Sequence, residues 1–116
     1  MHEMSIMTSV VDAVLRYAAE NDAKQVRSIT LVVGELHDVV DSLMERCLQF
    51  LARGTVAEHA ALELRKVPLR VQCTDCLLVY PADLKQRSTL VCPECNSTNF
   101  RIHNGNEFLI DSIEIV

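Results

Sequence analysis

The sequence predicts an α/β (α+β) fold: a three-stranded sheet with two helices, plus a cysteine-bearing lobe inserted ahead of the last strand. Three observations predict it. Two stretches carry apolar residues at three- and four-residue spacing, the period of an amphipathic helix. Three stretches are β-branched-rich or alternate apolar with polar, as strands do. Four of the five cysteines fall between residues 73 and 95, ahead of the last apolar run.

The first element is a helix over residues 5–20. Met7, Val10, Val11, Val14 and Ala18 make one stripe, Ile6, Ala13 and Leu15 widen it, and Arg16 and Glu20 lie off it. Asn21-Asp22 suits its C-terminal end. Residues 27–33 form a strand with Ile29, Leu31 and Val33 on one face, ended by Gly34. A second helix spans about 41–53, where Val40, Leu43, Met44, Cys47, Leu48 and Leu51 repeat at helical spacing. Asp41 or Ser42 is the expected N-cap, and Gly54 the stop. Residues 60–66 alternate, with Leu62 and Leu64 inward. Pro68 interrupts, and Leu69-Arg70-Val71 leads into the first cysteine pair. Residues 107–116 read as one long strand whose apolar content suits a sheet member. The expected division is an α/β domain over 1–68, a metal-binding lobe over 69–103, and a terminal strand, 104–116, that returns to the first domain.

The totals narrow the function classes. A chain of 116 residues is one ordinary domain, or a small core plus a metal-stapled lobe. Aromatic residues are 4% and Trp is absent, so the core is aliphatic. The net charge of -5, with Lys and Arg scattered, argues against nucleic acid and against an anionic membrane surface. The apolar runs are far short of a membrane span. Met1-His2-Glu3 lacks the basic start and apolar segment of a signal peptide. The expected location is therefore cytoplasmic, where thiols stay reduced and cysteines serve metals before disulfides.

Cys73-Thr-Asp-Cys76 and Cys92-Pro-Glu-Cys95 are two C-x2-C pairs, with fifteen residues between Cys76 and Cys92. That is the spacing of a four-cysteine zinc site of the zinc-ribbon type. Two residues between thiolates allow a tight turn that aims both sulfurs at one ion, and two such turns supply a tetrahedron. The competing readings are a single iron or an iron–sulfur cluster, and redox dithiols. Neither pair opens a helix after a strand, which disfavours the dithiol reading. Such knuckles favour glycine after the second cysteine, where φ is positive. Leu77 and Asn96 stand there; Asn tolerates that conformation, so the first knuckle is expected to be the less regular. His59 and His103 are weaker alternatives to a cysteine ligand, and Cys47 reads as a small buried hydrophobe on the second helix. A closed four-sulfur site leaves no position for a substrate. No nucleophile–base set or Gly-rich phosphate loop is visible, so a catalytic role has no support and the chain is expected not to be an enzyme.

His2 is the unusual residue. A solvated terminus is the simpler reading of it. A second reading has a chemical basis. The terminal amine of Met1, the next amide nitrogen and the His2 imidazole can chelate one divalent ion, and the Glu3 amide or a nearby carboxylate completes a tetragonal site suited to nickel(II) or copper(II). His is too large for ordinary Met removal, so Met1 is expected to remain.

The whole chain adds to this. It opens on Met1-His2-Glu3 with Ser5 and an amphipathic helix, continues through Val33-Gly34-Glu35-Leu36 and the two cysteine pairs, and closes on Gly105-Asn106-Glu107-Phe108-Leu109-Ile110 and Ser112-Ile113-Glu114-Ile115. In that order, over essentially all residues, it resembles the HypA/HybF family of nickel-incorporation proteins for [NiFe]-hydrogenase maturation. The resemblance implies a nickel metallochaperone. It implies nickel as transient cargo on Met1, His2 and Glu3, and structural zinc on Cys73, Cys76, Cys92 and Cys95. It further implies a HypB-type GTPase as partner, the [NiFe]-hydrogenase large subunit as recipient, and in some members urease or a urease accessory protein. A further carboxylate comes, in some members, from the loop after the first strand. Here His37, Asp38 and Asp41 are the candidates, left open among themselves. Neither monomer nor homodimer is favoured. The alternative is a zinc-ribbon module that binds protein or nucleic acid without nickel.

Overall fold

A computed structural model describes residues 3–116. In chain order the elements are α1 (Glu3–Glu20), β1 (Val26–Gly34), a 3-10 turn (Glu35–His37), α2 (Asp41–Leu51), β2 (Ala61–Val67), β3 (Arg70–Cys73), β4 (Val79–Pro81), a second 3-10 turn (Arg87–Leu90), β5 (Phe100–Asn104) and β6 (Phe108–Ile115). They form two compact units. The first holds the described residues up to Val32, then Asp38–Arg65 and Phe108–Val116; the second holds Val33–His37 and Lys66–Glu107.

In the first unit the stripe on α1 is buried as its spacing requires: Ile6, Met7, Val10, Val11, Val14 and Ala18. Ala13 stays exposed and Leu15 half-buried, so the stripe is narrower than expected. The helix ends in a left-handed cap. Asp22 takes φ +50°, and the N–H groups of Ala23 and Asp22 donate to Ala18 O and Ala19 O at 2.9 and 3.3 Å. This pair of bonds satisfies two terminal carbonyls that a helix otherwise leaves without partners.

Helix α2 buries Met44, Cys47 and Leu48 against α1, while Val40 and Leu43 remain 54% and 40% exposed. The N-cap is Val40, whose side chain has no group to cap with, and not Asp41 or Ser42. The reason is a distant acceptor. Glu3 Oε2 takes the Val40 N–H at 2.9 Å, placing a carboxylate at the positive end of the helix. Gly54, at φ +75°, stands in the turn beyond the helix end.

The sheet of this unit has the order β2-β1-β6, so the last strand returns beside the first, as the sequence predicts. Gly34 N–H donates to Glu107 O and Val116 N–H to Gln25 O, so the two ends of β1 meet opposite ends of β6 and the strands run antiparallel. Ile29, Leu31 and Val33 are fully buried on one face of β1, and Leu62 and Leu64 of β2 are half-buried where their neighbours are exposed. On the other face Thr30 Oγ1 donates to Glu63 Oε2 at 3.3 Å, and Arg65 pairs with Asp111 at 3.6 Å. No described helix is long and apolar enough to cross a membrane.

The second unit has its own sheet, order β4-β3-β5, with both pairings antiparallel. Leu69, Val71, Cys73, Tyr80, Ala82 and Cys92 form its core, with Leu36, Leu78, Leu90 and Phe100 packed around. The segment 33–37 is pinned within this unit. Leu69 N–H donates to Glu35 Oε2 at 3.3 Å, Leu36 N–H to Gly105 O at 2.9 Å, and His37 Nε2 lies 3.1 Å from Asn106 O. The backbones approach so closely that a Cβ on Gly34 would stand 2.0 Å from Gly105 O, a clash that only backbone movement relieves. Gly34→Ala is therefore expected to destabilise the protein by about 2–3 kcal/mol, in the range of overpacked cores. Guanidinium unfolding of the variant beside the parent measures it.

Candidate metal centre

Each cysteine pair is carried by a tight turn of the same build. In the first, Leu77 N–H donates to Cys73 O at 2.9 Å and Cys73 N–H to Leu78 O at 2.8 Å. In the second, Asn96 N–H donates to Cys92 O and Cys92 N–H to Ser97 O, both at 2.9 Å. Leu77 and Asn96 both take positive φ, 68° and 60°. The first knuckle is thus as regular as the second, contrary to the expectation drawn from Leu77. What holds a leucine there is visible. Its carbonyl accepts from Gln72 Nε2 at 3.1 Å, and Gln72 Oε1 is itself held by Arg101 Nε and Nη2 at 2.9 and 2.6 Å. The leucine side chain is 61% exposed, so the position gains little from its bulk.

The two turns bring the sulfurs of Cys73, Cys76, Cys92 and Cys95 within 4.8 Å of one another, the one such cluster of metal-binding side chains among the described residues. Cys73 Sγ lies 3.6 Å from Cys95 Sγ, and Cys76 Sγ 3.5 Å from Cys92 Sγ. A tetrahedron with arms of about 2.3 Å has edges of about 3.8 Å, so the arrangement fits a metal bound by four sulfurs. It does not fit a disulfide, whose sulfurs are about 2.05 Å apart, and all five cysteines are free thiols. Cys73 and Cys92 lie in the core of the unit, whereas Cys76 and Cys95 are exposed.

The electrostatics call for a cation. The Cys76 backbone N–H donates to the Cys73 sulfur and draws that thiol down to about 7. At Cys95 the Ser97 N–H favours the thiolate, but the Cys73 sulfur beside it and partial desolvation of the Cys95 sulfur, within an otherwise exposed residue, push the thiol up to about 12. One sulfur ionises at the expense of its neighbours, because like charges at this separation oppose one another. A divalent ion removes that conflict and lets all four sulfurs ionise. The closed donor set leaves such an ion no open position for chemistry.

The remaining candidates divide. Met1 and His2 lie outside the described residues. Glu3 is the first residue of α1, with Oε2 on the Val40 N–H. Asp38, exposed and at φ +49°, and Asp41, the first residue of α2, lie in the same unit as Glu3; His37 belongs to the second unit. His59 and His103 are exposed and stand outside the sulfur cluster. Cys47 is buried on α2, as expected of a small hydrophobe. The Glu3–Val40 contact was not legible from the sequence. It joins residues 37 apart in the chain, and no local motif signals it.

Two helices beside a three-stranded sheet, with a four-cysteine unit inserted before its last strand, define a small α/β metal-site protein. Comparison with known proteins narrows this. Residues 1–115 match the family model for HypA, described as hydrogenase/urease nickel incorporation, metallochaperone. The hydrogenase maturation factor HypA of Dehalococcoides mccartyi strain CBDB1 is 36% identical over 99% of this chain and 94% of its own. That of Aquifex aeolicus is 34% identical over 99% and 97%. The solution structure of the Ni metallochaperone HypA from Helicobacter pylori superposes with a TM-score of 0.66 at 26% identity, covering 100% of this chain and 98% of that one. A second HypA solution structure gives 0.72, also at 26%, over 100% and 97%. The chain belongs to the HypA family of nickel metallochaperones and hydrogenase maturation factors.

The left-handed Leu77 yields a prediction. A non-glycine residue in this region costs about 1–2 kcal/mol. Part of that is offset when glycine is introduced, because glycine loses more entropy on folding. Leu77→Gly should raise stability by about 0.5–1 kcal/mol, read as a higher melting temperature of the metal-loaded protein, with Asn96→Gly giving a smaller change.

Proposed function

We propose that this chain captures nickel(II) at its N-terminus and delivers it to the [NiFe]-hydrogenase large subunit together with a HypB-type GTPase. In this reading residues 1–68 and the returning strand 104–116 carry the nickel, and the lobe 69–103 carries structural zinc on Cys73, Cys76, Cys92 and Cys95. The nickel ligands are the Met1 amine, the His2 imidazole with its amide nitrogen, and the Glu3 amide nitrogen. The observation that carries the reading is the family match over residues 1–115, which includes Met1-His2-Glu3.

Chemistry supports the division of labour. Nitrogen donors in a plane suit nickel(II), and four thiolates in a tetrahedron suit zinc. The Glu3 carboxylate on the Val40 N–H fixes the start of α1 against the start of α2, which gives the chelate a firm base. His37, Asp38 and Asp41 remain the candidates for a further ligand from the loop after β1. The nickel site releases protons on binding, so its affinity falls in acid.

His2→Ala should lose specific nickel binding while keeping zinc and fold. Calorimetric titration with nickel reads the first, and metal analysis with circular dichroism the second. A variant with the parent's nickel affinity would remove the terminal chelate from the account. Cys73→Ser should lose zinc and loosen residues 73–95, seen as less than one zinc per chain by metal analysis and faster amide exchange there. A Cys73→Ser protein with a full zinc complement would count against the four-cysteine zinc site.

A further inference from the structure

The two knuckles are joined by more than a shared ion. Asp75, immediately before Cys76, accepts a hydrogen bond from Ser97 Oγ and lies 3.5 Å from Asn99 Nδ2. Asn99 N–H donates to Ser97 Oγ at 3.1 Å, and Asn99 O accepts from Thr74 N–H at 3.1 Å. These contacts close a ring between residues 74–75 of the first knuckle and residues 97–99. Ser97 is part of the second knuckle, since its carbonyl accepts the Cys92 N–H at 2.9 Å. The Asp75–Ser97 bond therefore runs from one knuckle directly to the other.

Burial shows why such a bond matters. Cys73 and Cys92 are fully buried and positioned by the apolar core around them. Cys76 and Cys95, farther along the same two turns, are exposed. Asp75 adjoins Cys76, and Ser97 lies two residues beyond Cys95. The brace thus falls beside the two exposed cysteines of the cluster. A carboxylate beside four thiolates is electrostatically unfavourable, and donors from Ser97 and Asn99 offset this.

We propose that Asp75 is a positioning residue that locks the two knuckles at tetrahedral spacing and so sets the rate at which zinc leaves the site. The proposal rests on the reading of this site as zinc-bound. Ligands held in place before the metal binds need less rearrangement, and loss of the groups that orient them typically costs about 10–100-fold in metal affinity.

The test is zinc release from the full-length protein to an excess of a chromogenic chelator. Asp75→Ala should release zinc about tenfold faster. Asp75→Asn, which keeps a carbonyl oxygen for Ser97 and Asn99, should stay near the parent rate. Ser97→Ala should also release zinc faster, and the double variant should fall short of the product of the two singles, because the two variants share the loss of the Asp75–Ser97 bond. An Asp75→Ala rate equal to the parent's overturns the proposal, as does a double variant whose acceleration is the product of the two singles. A second arm reads the backbone and not the metal. In the protein as purified, Asp75→Ala should speed amide exchange at Thr74 and Asn99, and unchanged exchange there overturns the brace. Failure of the zinc reading is distinguishable, since the parent would then purify without zinc while the exchange arm still decides on Asp75.

Discussion

Four sulfurs within 4.8 Å of one another cannot all carry charge unaided, and the second unit depends on how that conflict is resolved. Its strands are short, Arg70–Cys73, Val79–Pro81 and Phe100–Asn104, and its core has six buried residues, two of them members of the sulfur cluster. Sheets this small are marginal by themselves. A divalent ion at the cluster turns mutual repulsion among thiolates into four attractive contacts and ties the two turns together. Cys73 and Cys92 are core side chains and, in the proposed zinc site, ligands as well, so that packing and metal binding would support each other.

The positive φ of Leu77 shows how local preference yields to such a constraint. A leucine resists this conformation, yet the turn needs it so that the backbone can fold back from Cys76 to the β4 side of the unit. The cost is of the order of 1–2 kcal/mol. Against it stand the Leu77 N–H on Cys73 O, the Gln72 amide on Leu77 O, and the double Arg101 contact that fixes Gln72. At about 1 kcal/mol for each hydrogen bond, these are sufficient to offset the strain. Propensity at one residue was therefore a poor guide to the regularity of the turn.

The same contrast separates what the sequence reveals from what it hides. Long periodic elements are legible because their burial repeats. The stripe from Met7 to Ala18 on α1 and the Ile29, Leu31, Val33 face of β1 are both buried as their spacing implies. The return of the last strand to the first sheet follows from its apolar content, and the sulfur cluster follows from two pairs of known spacing. The second sheet leaves no such trace. Strands of four, three and five residues are too short to display a period. Val40 and Leu43 mislead in the opposite direction. They hold helical spacing with Met44 and Cys47, but α2 is too short and too terminal there for α1 to cover them.

The Glu3–Val40 hydrogen bond belongs to the hidden class, and it bears on how the proposed nickel and zinc sites are kept apart. A carboxylate near a chain terminus is a natural metal ligand, and from sequence Glu3 offers both its amide nitrogen and its side chain. In the folded chain one carboxylate oxygen serves the first turn of α2, where the helix dipole favours it. In the proposed nickel site, a ligand set starting at Met1 draws on backbone nitrogen at Glu3, which favours a planar nitrogen site over an oxygen-rich one. The sulfur cluster differs in every respect that governs selectivity: donor softness, geometry and the absence of an open position. In the proposed chaperone, cargo and structural metal are thus discriminated by donor chemistry, one site built from the start of the backbone and the other from side chains that the fold brings together.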